Sequence, residues 1–254
     1  MKKAILITGG AGFLGGKYCQ FFLKKKFTVL CVDNDIKKIK TINNLHLKNL
    51  YTFKCDISDE NQIKNLFQDI NKSFFVNVLI NNAAIDAVPF KKREPSQKFP
   101  TSEMWDKEMN VSLKGSFLMI KYFGEKMIKK KQGSIINIGS DLSFIAPNQK
   151  IYKSSYTNYI KPVTYSVIKH GMLGLTKYFA SLYGPNNVRV NMLSPGPIKN
   201  NQSPKLIKEL KNLIPMNRLG KYNEMFGLLN FLSSNESSYL TGQNILVDGG
   251  RTII

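Results

Sequence analysis

Two groupings of residues in this sequence have the types and spacing to do chemistry: a glycine-rich turn followed at a distance by a carboxylate, and tyrosines set four residues ahead of lysines. The strand-like run ending at Thr8 leads into Gly9-Gly10-Ala11-Gly12-Phe13-Leu14-Gly15, with GxGxxG at Gly10, Gly12 and Gly15. Glycines there permit a tight turn, close approach of the backbone to a pyrophosphate, and close packing of helix on strand, while the following helix offers its N-terminal amides to phosphate. A second strand-like run ends at Asp33, 18 residues past Gly15. A carboxylate there accepts hydrogen bonds from adenosine ribose hydroxyls and repels a 2′-phosphate, so NAD is expected over NADP. Lys37 and Lys38 weigh the other way. Gly16-Lys17 does not complete a P-loop, because GxxxxGK would need glycine and serine or threonine where Ala11 and Tyr18 stand.

A tyrosine and a lysine four residues apart share one face of a helix. The ammonium favours the phenolate and lowers the tyrosine pKa from its reference of about 10, which suits proton exchange with a carbonyl or an alcohol. Two pairs have this spacing, Tyr122 with Lys126 and Tyr165 with Lys169.

The elements that must position these groups alternate. Strand-like runs cover Ala4–Thr8, Thr28–Val32, Leu50–Cys55, Val76–Asn81, Ser134–Ile138, Val188–Leu193 and Asn244–Val247, and amphipathic stretches cover Leu14–Lys25, Glu60–Asn71, Asp106–Lys130, Thr164–Leu182 and Glu224–Leu232. Strands separated by helices pair in parallel, which predicts an α/β fold with a doubly wound parallel sheet of about seven strands and helices on both faces, as one domain over 1–254. Two segments, 86–102 and 141–162, show no clear period and are expected to be irregular inserts near the active site, because loops this long usually serve function and ligands bind beyond the carboxyl ends of strands.

With 254 residues, 43% of them hydrophobic, the chain has ample material for a core, which excludes disorder, collagen and coiled coil. Apolar runs fall far short of the ~20 residues of a membrane span, and Met1-Lys2-Lys3 leads into a strand rather than an apolar signal region, so a cytoplasmic protein with no membrane partner is expected. The formal net charge is +20, yet only four of the 37 basic residues are arginine. Lysine spread along the whole chain reads as solvated surface, so no nucleic-acid partner is expected. Cys19, Cys31 and Cys55 lack CxxC spacing and stand apart from His46 and His170, which predicts reduced buried thiols and no metal site.

Several motifs then occur in a telling order: Thr8-Gly9 with Gly12 and Gly15, Cys55-Asp56-Ile57, Asn81-Asn82-Ala83-Ala84, Met109-Asn110-Val111, Asn137-Ile138-Gly139-Ser140, Tyr165 through Lys169, Ser194-Pro195-Gly196, and Thr241-Gly242-Gln243 with Val247-Asp248-Gly249-Gly250. Together they resemble the short-chain dehydrogenase/reductase family over essentially the whole chain, in its short single-domain type with a Rossmann fold. The resemblance implies catalytic roles for Asn110, Ser140, Tyr165 and Lys169, and its order selects Tyr165/Lys169 over Tyr122/Lys126. Ser140 would hydrogen-bond the reacting oxygen, Lys169 would also hold the nicotinamide ribose, and Asn110 would hold a relay water. Cofactor contacts are implied for Gly9, Gly12, Phe13, Leu14, Gly15, Asp33, Asp56, Ile57, Asn82, Ala83, Ala84, Tyr165, Lys169, Pro195, Gly196 and Ile198.

The chain departs from the family pattern twice. Gly12 stands one position early, as in the longer branch that holds sugar-nucleotide epimerases and dehydratases. Ser140 precedes Tyr165 by 25 residues, about twice the usual gap, which leaves Ser143, Ser154 and Ser155 as rivals to Ser140.

The function this implies is hydride transfer between NAD(P) and a secondary alcohol or ketone. Alternatives are an epimerase or dehydratase that regenerates its cofactor, and a dinucleotide-sensing or nucleic-acid-binding regulator without catalysis. The tract from Ser140 through Ala146-Pro147 to Lys161-Pro162-Val163-Thr164-Tyr165 is similar to members associated with bacterial surface-sugar and flagellin-glycan synthesis. With the basic and aromatic residues of the inserts, this points to an anionic sugar substrate, a phosphosugar or nucleotide sugar, contacted by Arg93, Tyr152, Lys153 and Tyr156. The helices near Asn110 and Thr164 carry apolar residues on several faces, among them Phe117, Phe123, Phe179 and Leu182, which predicts a homodimer or homotetramer.

Overall fold

The computed structural model describes residues 1–35, 37–38, 47–85, 99–156 and 159–254. Among them, seven strands form one sheet: β1 (Lys2–Thr8), β2 (Val29–Asp33), β3 (Leu50–Lys54), β4 (Phe74–Asn81), β5 (Gly133–Ile138), β6 (Val188–Pro195) and β7 (Asn244–Val247). The order across the sheet is β3-β2-β1-β4-β5-β6-β7 and every neighbouring pair is parallel. This is the doubly wound sheet expected from the sequence. Its strand order reverses between β1 and β4, where the loops leaving the two carboxyl ends part and open a crevice.

Strands covered on both faces read as nearly continuous apolar runs. In β1, Ala4 and Leu6 join one core with Leu30, Leu79 and Ile135, while Ile5 and Ile7 join the opposite core with Val29, Ile80 and Ile136. The first core is covered by α2 (Glu60–Asn71), whose spacing buries Ile63, Leu66 and Ile70, each contributing about 1.5–3 kcal/mol over exposure. Asp59 starts that helix by accepting from the Asn61 and Gln62 amides at 2.8 and 3.2 Å. The second core is covered by α1 (Phe13–Lys24), through Tyr18 and Phe22, and by Leu229 and Leu232 further along the chain. Cys19, Cys31 and Cys55 are free and buried. No helix among the described residues is long and apolar enough to cross a membrane.

The stretch expected to be helical from Asp106 begins earlier, at α3 (Ser102–Met109), because the Thr101 hydroxyl accepts from the Met104 amide at 3.2 Å. It continues through a π turn (Asn110–Lys114), α4 (Gly115–Met119), a second π turn (Ile120–Gly124) and α5 (Glu125–Lys130). The segment 141–162 is not irregular throughout. It holds a 3₁₀ turn (Asp141–Ser143) and α6 (Gln149–Ser155), started by the Asn148 side chain, which accepts from the Lys150 amide at 3.1 Å. Two turns of helix are too short for a 3.6-residue period to show in sequence. Beyond it run α7 (Val163–Tyr183), α8 (Pro204–Lys211) and α9 (Phe226–Ser233). The α8 helix was not anticipated, although Ser203-Pro204 is a helix-start signature. It packs on α6 in a small separate core of Ile151, Tyr152, Leu206, Leu210 and Leu219. Of the insert expected at 86–102, residues 86–98, including Arg93, lie outside the described residues.

Buried polar bonds fix the helices that matter below. Asn81 Nδ2 donates to Asn137 Oδ1 and Asn137 Nδ2 donates to Thr176 Oγ1, both at 2.9 Å, which ties β4, β5 and α7 together. The Thr164 hydroxyl donates to the buried Glu108 carboxylate and so joins α7 to α3.

Candidate active site

A cleft of about 1050 Å³ lies along the carboxyl ends of the strands. Its floor is the turn after β1. Gly9 has φ +63°, and a Cβ on it would fall 2.8 Å from Ala83 Cα, so the turn requires glycine there. A Cβ on Gly15 would fall 2.1 Å from Gly9 O, which is how closely α1 packs on the turn. Gly12, Phe13 and Leu14 line the cleft at the start of α1, whose first turn has no acidic residue to compete with a bound anion.

The turn is held from both sides. Asp33 Oδ2 accepts from the Ala11 amide at 3.0 Å while Oδ1 accepts from the Asp35 amide at 3.0 Å. On the other side the Thr8 hydroxyl accepts from the amides of Asn82 and Ala83, each at 3.1 Å, and Asn82 Nδ2 donates to Thr8 O at 3.0 Å. Asp33 therefore holds the glycine turn and also lines the cleft. Lys38 lines it too, with its ammonium 3.4 Å from the Asp35 carboxylate, which offsets its charge. Asp56 and Ile57 complete this end, and Asp56 Oδ1 accepts from the Ser58 amide at 2.9 Å and hydroxyl at 2.7 Å. Burial, with Asp56 and Asp59 adding to it, pushes the neighbouring Cys55 thiol up to about 12, so it stays protonated.

At the other end the cleft brings together Asn110, Ser140, Tyr165 and Lys169, with Ala83, Ala84, Pro195, Gly196 and Ile198 on its walls. Three of the four catalytic candidates sit where an element changes, and the fourth, Lys169, lies inside a helix. Asn110 opens the first π turn, a local widening often found at functional sites. Ser140 follows β5 directly, and its buried hydroxyl donates to Asp141 Oδ1 at 2.8 Å and accepts from the Leu142 amide at 3.2 Å. Tyr165 lies in the first turn of α7, next to the Thr164–Glu108 bond. Lys169, one turn on and buried, donates to Ile138 O at 2.9 Å, and its Nζ is 5.7 Å from the Tyr165 ring centroid.

The rival residues are placed elsewhere. The Ser143 hydroxyl donates to Ser140 O and lies 3.2 Å from Ser194 Oγ, stitched into β6. Ser154 is on α6 and donates to Ile151 O at 3.1 Å, and Ser155 is on the same helix. Tyr122 donates to Glu60 Oε1 at 2.8 Å on the outer side of the helical layer, and partial burial together with that carboxylate raises its pKa, the opposite of what proton transfer near neutrality needs.

Of the residues expected to meet substrate, Tyr152 lines the cleft. Lys153 instead points to solvent on the outer face of α6, and the Tyr156 hydroxyl accepts from the Ser203 amide at 3.1 Å, holding the start of α8. The helical period explains the difference, since residues 152 and 153 diverge by about 100° around the axis. Tyr159 and Lys161, which the sequence offers among the aromatic and basic residues of the insert, line the cleft, and so do Lys107, Asn200, Gln202, Leu206 and Arg251, which were not named as site residues from the sequence. Arg251 pairs with Asp141, both about 4% exposed as side chains, so a chain of bonds runs Ser140–Asp141–Arg251. It is one of four arginines among 37 basic residues, and that rarity was the signal that could have found it.

Residues 14–252 match the family model described as enoyl-(acyl carrier protein) reductase. The chain is 35% identical over 255 residues to a 3-oxoacyl-[acyl-carrier-protein] reductase of Buchnera aphidicola subsp. Baizongia pistaciae, covering 98% of this chain and 97% of that one. It is 32% identical over 265 residues to a 3-oxoacyl-[acyl-carrier-protein] reductase of Thermotoga maritima, covering 99% and 98%. Among solved structures, a short chain dehydrogenase from Leptospira borgpetersenii with bound NAD+ superposes with a TM-score of 0.83 at 32% identity, covering 99% of this chain and 93% of that one.

Proposed function

The chain belongs to the short-chain dehydrogenase/reductase family and is an NAD- or NADP-dependent oxidoreductase, and from that premise we propose that it interconverts a secondary alcohol and a ketone on an anionic sugar, with NAD as its cofactor. The observation that carries the reading is that Asn110, Ser140, Tyr165 and Lys169 line one cleft with the glycine turn. The cleft suits a dinucleotide by its chemistry: a carboxylate at Asp33, a helix start free of acids at Phe13 and Leu14, and a glycine turn open to close approach. When bound there, the nicotinamide takes up or supplies the hydride.

The rest falls to the protein. Tyr165 takes the proton of the alcohol during oxidation and gives it back to the ketone oxygen during reduction. Lys169 stands beside it, donating to Ile138 O, and would hold the ribose of a bound dinucleotide. Ser140, whose proton goes to Asp141 in this arrangement, keeps a lone pair that accepts from the alcohol hydroxyl, and it bonds a ketone oxygen by turning that proton toward it. Asn110 holds water at the π turn. The NAD preference is supported by Asp33, which repels a 2′-phosphate, and by the pairing of Lys38 with Asp35. An anionic sugar is supported by Lys107, Lys161, Asn200 and Gln202 among the cleft residues, with Tyr152 and Tyr159 offering flat faces and hydroxyls.

A second reading, reduction of a 3-oxoacyl group on a carrier protein, draws on the names of two relatives and on Leu142, Leu206 and Leu210 in the cleft. One screen separates the two. Neutral alcohols and ketones, sugar phosphates, nucleotide sugars and 3-oxoacyl thioesters are each offered with NAD(H) and with NADP(H). The proposal expects an anionic sugar to give the highest kcat/KM, NAD(H) to be preferred by about tenfold or more as charge-assisted bonds to the ribose imply, and Arg93→Ala to raise KM. Best turnover of a neutral or thioester substrate, or a tenfold preference for NADP(H), would overturn the corresponding part.

The assembly we propose is a homodimer or homotetramer. Phe117, Tyr178 and Leu182, on α4 and α7, are 40, 64 and 52% exposed, an apolar surface of the kind a second copy covers. Sedimentation at micromolar concentration should show a species of at least twice the chain mass, and a monomer would refute it.

A further inference from the structure

The YxxxK pair accounts for one ammonium beside Tyr165, and the structure has two. Lys161 Nζ lies 3.8 Å from the centroid of the Tyr165 ring, nearer than Lys169 at 5.7 Å. The backbone that carries Lys161 is fixed by a single side chain: Gln149 Nε2 donates to Lys161 O at 3.0 Å and Lys161 N donates to Gln149 Oε1 at 2.9 Å. Gln149 is the first residue of α6, within the stretch that makes the Ser140-to-Tyr165 interval so long.

We propose that the added segment places Lys161 against the ring face of Tyr165 as a second cation that stabilises its phenolate, which makes Lys161 a positioning residue for the proton transfer. This rests on the reading of Tyr165 as the proton-transfer group. A cation over a neutral phenol ring feels only its quadrupole, whereas ionisation adds a full negative charge that spreads into the ring, so an ammonium at the ring face binds the phenolate more strongly than the phenol. An opposite charge this close lowers an acidic pKa by about 1–3 units, and the half-buried setting of Lys161 and Tyr165 puts the effect at the lower end.

Among the described residues, the other groups around Tyr165 act in both directions. Lys169 on α7 acts in the same direction. The Asp141 charge is matched by Arg251, while the Glu108 carboxylate, which accepts from the uncharged Thr164 hydroxyl, acts in the opposite direction. From α3 the cleft receives Lys107, from the π turn after it the uncharged Asn110, and from α6 and the chain after it the phenols Tyr152 and Tyr159. Lys161 thus brings a charge nearer to the ring than that of Lys169 and gives the added segment a role in the reaction.

The test needs no substrate. Tyrosinate absorbance of the full-length chain is titrated for the native protein and for Tyr165→Phe, Lys161→Met and Lys161→Arg, with far-ultraviolet circular dichroism checking that each variant is folded. A tyrosine ionising below the ordinary value of about 10 should be present in the native protein and lost in Tyr165→Phe. Lys161→Met should raise its midpoint by about one unit, and Lys161→Arg, which keeps a cation able to stack on the ring, should leave it near the native value. A low midpoint unmoved in Lys161→Met would overturn the role of Lys161 while leaving Tyr165 in place. Absence of any such ionisation in the native protein would overturn both.

Discussion

Tyr165→Phe should fold, bind the dinucleotide as the native protein does, and turn over more slowly by on the order of 10²-fold or more. Only the hydroxyl is lost. The ring keeps its place in the first turn of α7 beside Lys161 and Lys169, and all but one of the residues with implied cofactor contacts are untouched. Positioning by Ser140 and hydride transfer itself survive, but no group remains at the ring edge to carry the proton, and that contribution is worth about 10²–10⁴ in rate. Steady-state kinetics on the best substrate, with a parallel fluorescence titration of NADH, measures both halves of the expectation. Turnover like that of the native protein would refute the assignment of Tyr165. Weak NADH binding together with slow turnover would instead mean that the substitution disturbed the cleft as a whole.

The second large effect concerns Arg251, near the end of the sequence. Its guanidinium meets the Asp141 carboxylate with both side chains about 4% exposed, and Asp141 in turn accepts the Ser140 proton. Removing one partner of a buried pair leaves the other charge without compensation in a medium that solvates it poorly, at a cost of about 3–5 kcal/mol. Arg251→Met should therefore lower the free energy of unfolding by about that amount, while the double variant Arg251→Met/Asp141→Asn should recover a large part of it, since no lone carboxylate remains. The double variant should also slow turnover, because Ser140 loses its charged acceptor, whereas Arg251→Met keeps it. Denaturant unfolding of the two variants checks the thermodynamic half, and a loss below about 1 kcal/mol in Arg251→Met, the level of a surface pair, would contradict the structure's account of the C-terminal turn.

Much of the sheet was legible because a strand buried on both faces writes itself as an unbroken apolar run; the runs at β1, β4 and β5 differ from the observed strands by no more than two residues at either end. The glycine turn was legible because it needs particular backbone freedom at Gly9 and close packing at Gly15, demands a sequence can meet only with glycine. The short helices α6 and α8 were not, since two turns leave too few residues for a period, although the capping residues Asn148 and Ser203 stand at their starts. Nor were the long-range bonds legible. Asp141 and Arg251 are 110 residues apart, and Asn137 and Thr176 are 39 apart, and nothing in the spacing of either pair announces that the fold joins them. The contact of Lys161 with Tyr165 lies at the same four-residue separation as YxxxK but outside the helix, so helical periodicity could not reveal it; Gln149, on another helix, sets it.

Net hydride transfer at the Tyr165 end of the cleft is read from the stoichiometry of nicotinamide reduction against alcohol consumed, followed to completion with the best substrate of the screen and a ketone trap. One NADH should form, and one ketone be trapped, for each alcohol lost. Full conversion of substrate with no lasting change in nicotinamide absorbance would contradict it, and would assign the same residues to an epimerase or dehydratase that takes its hydride back.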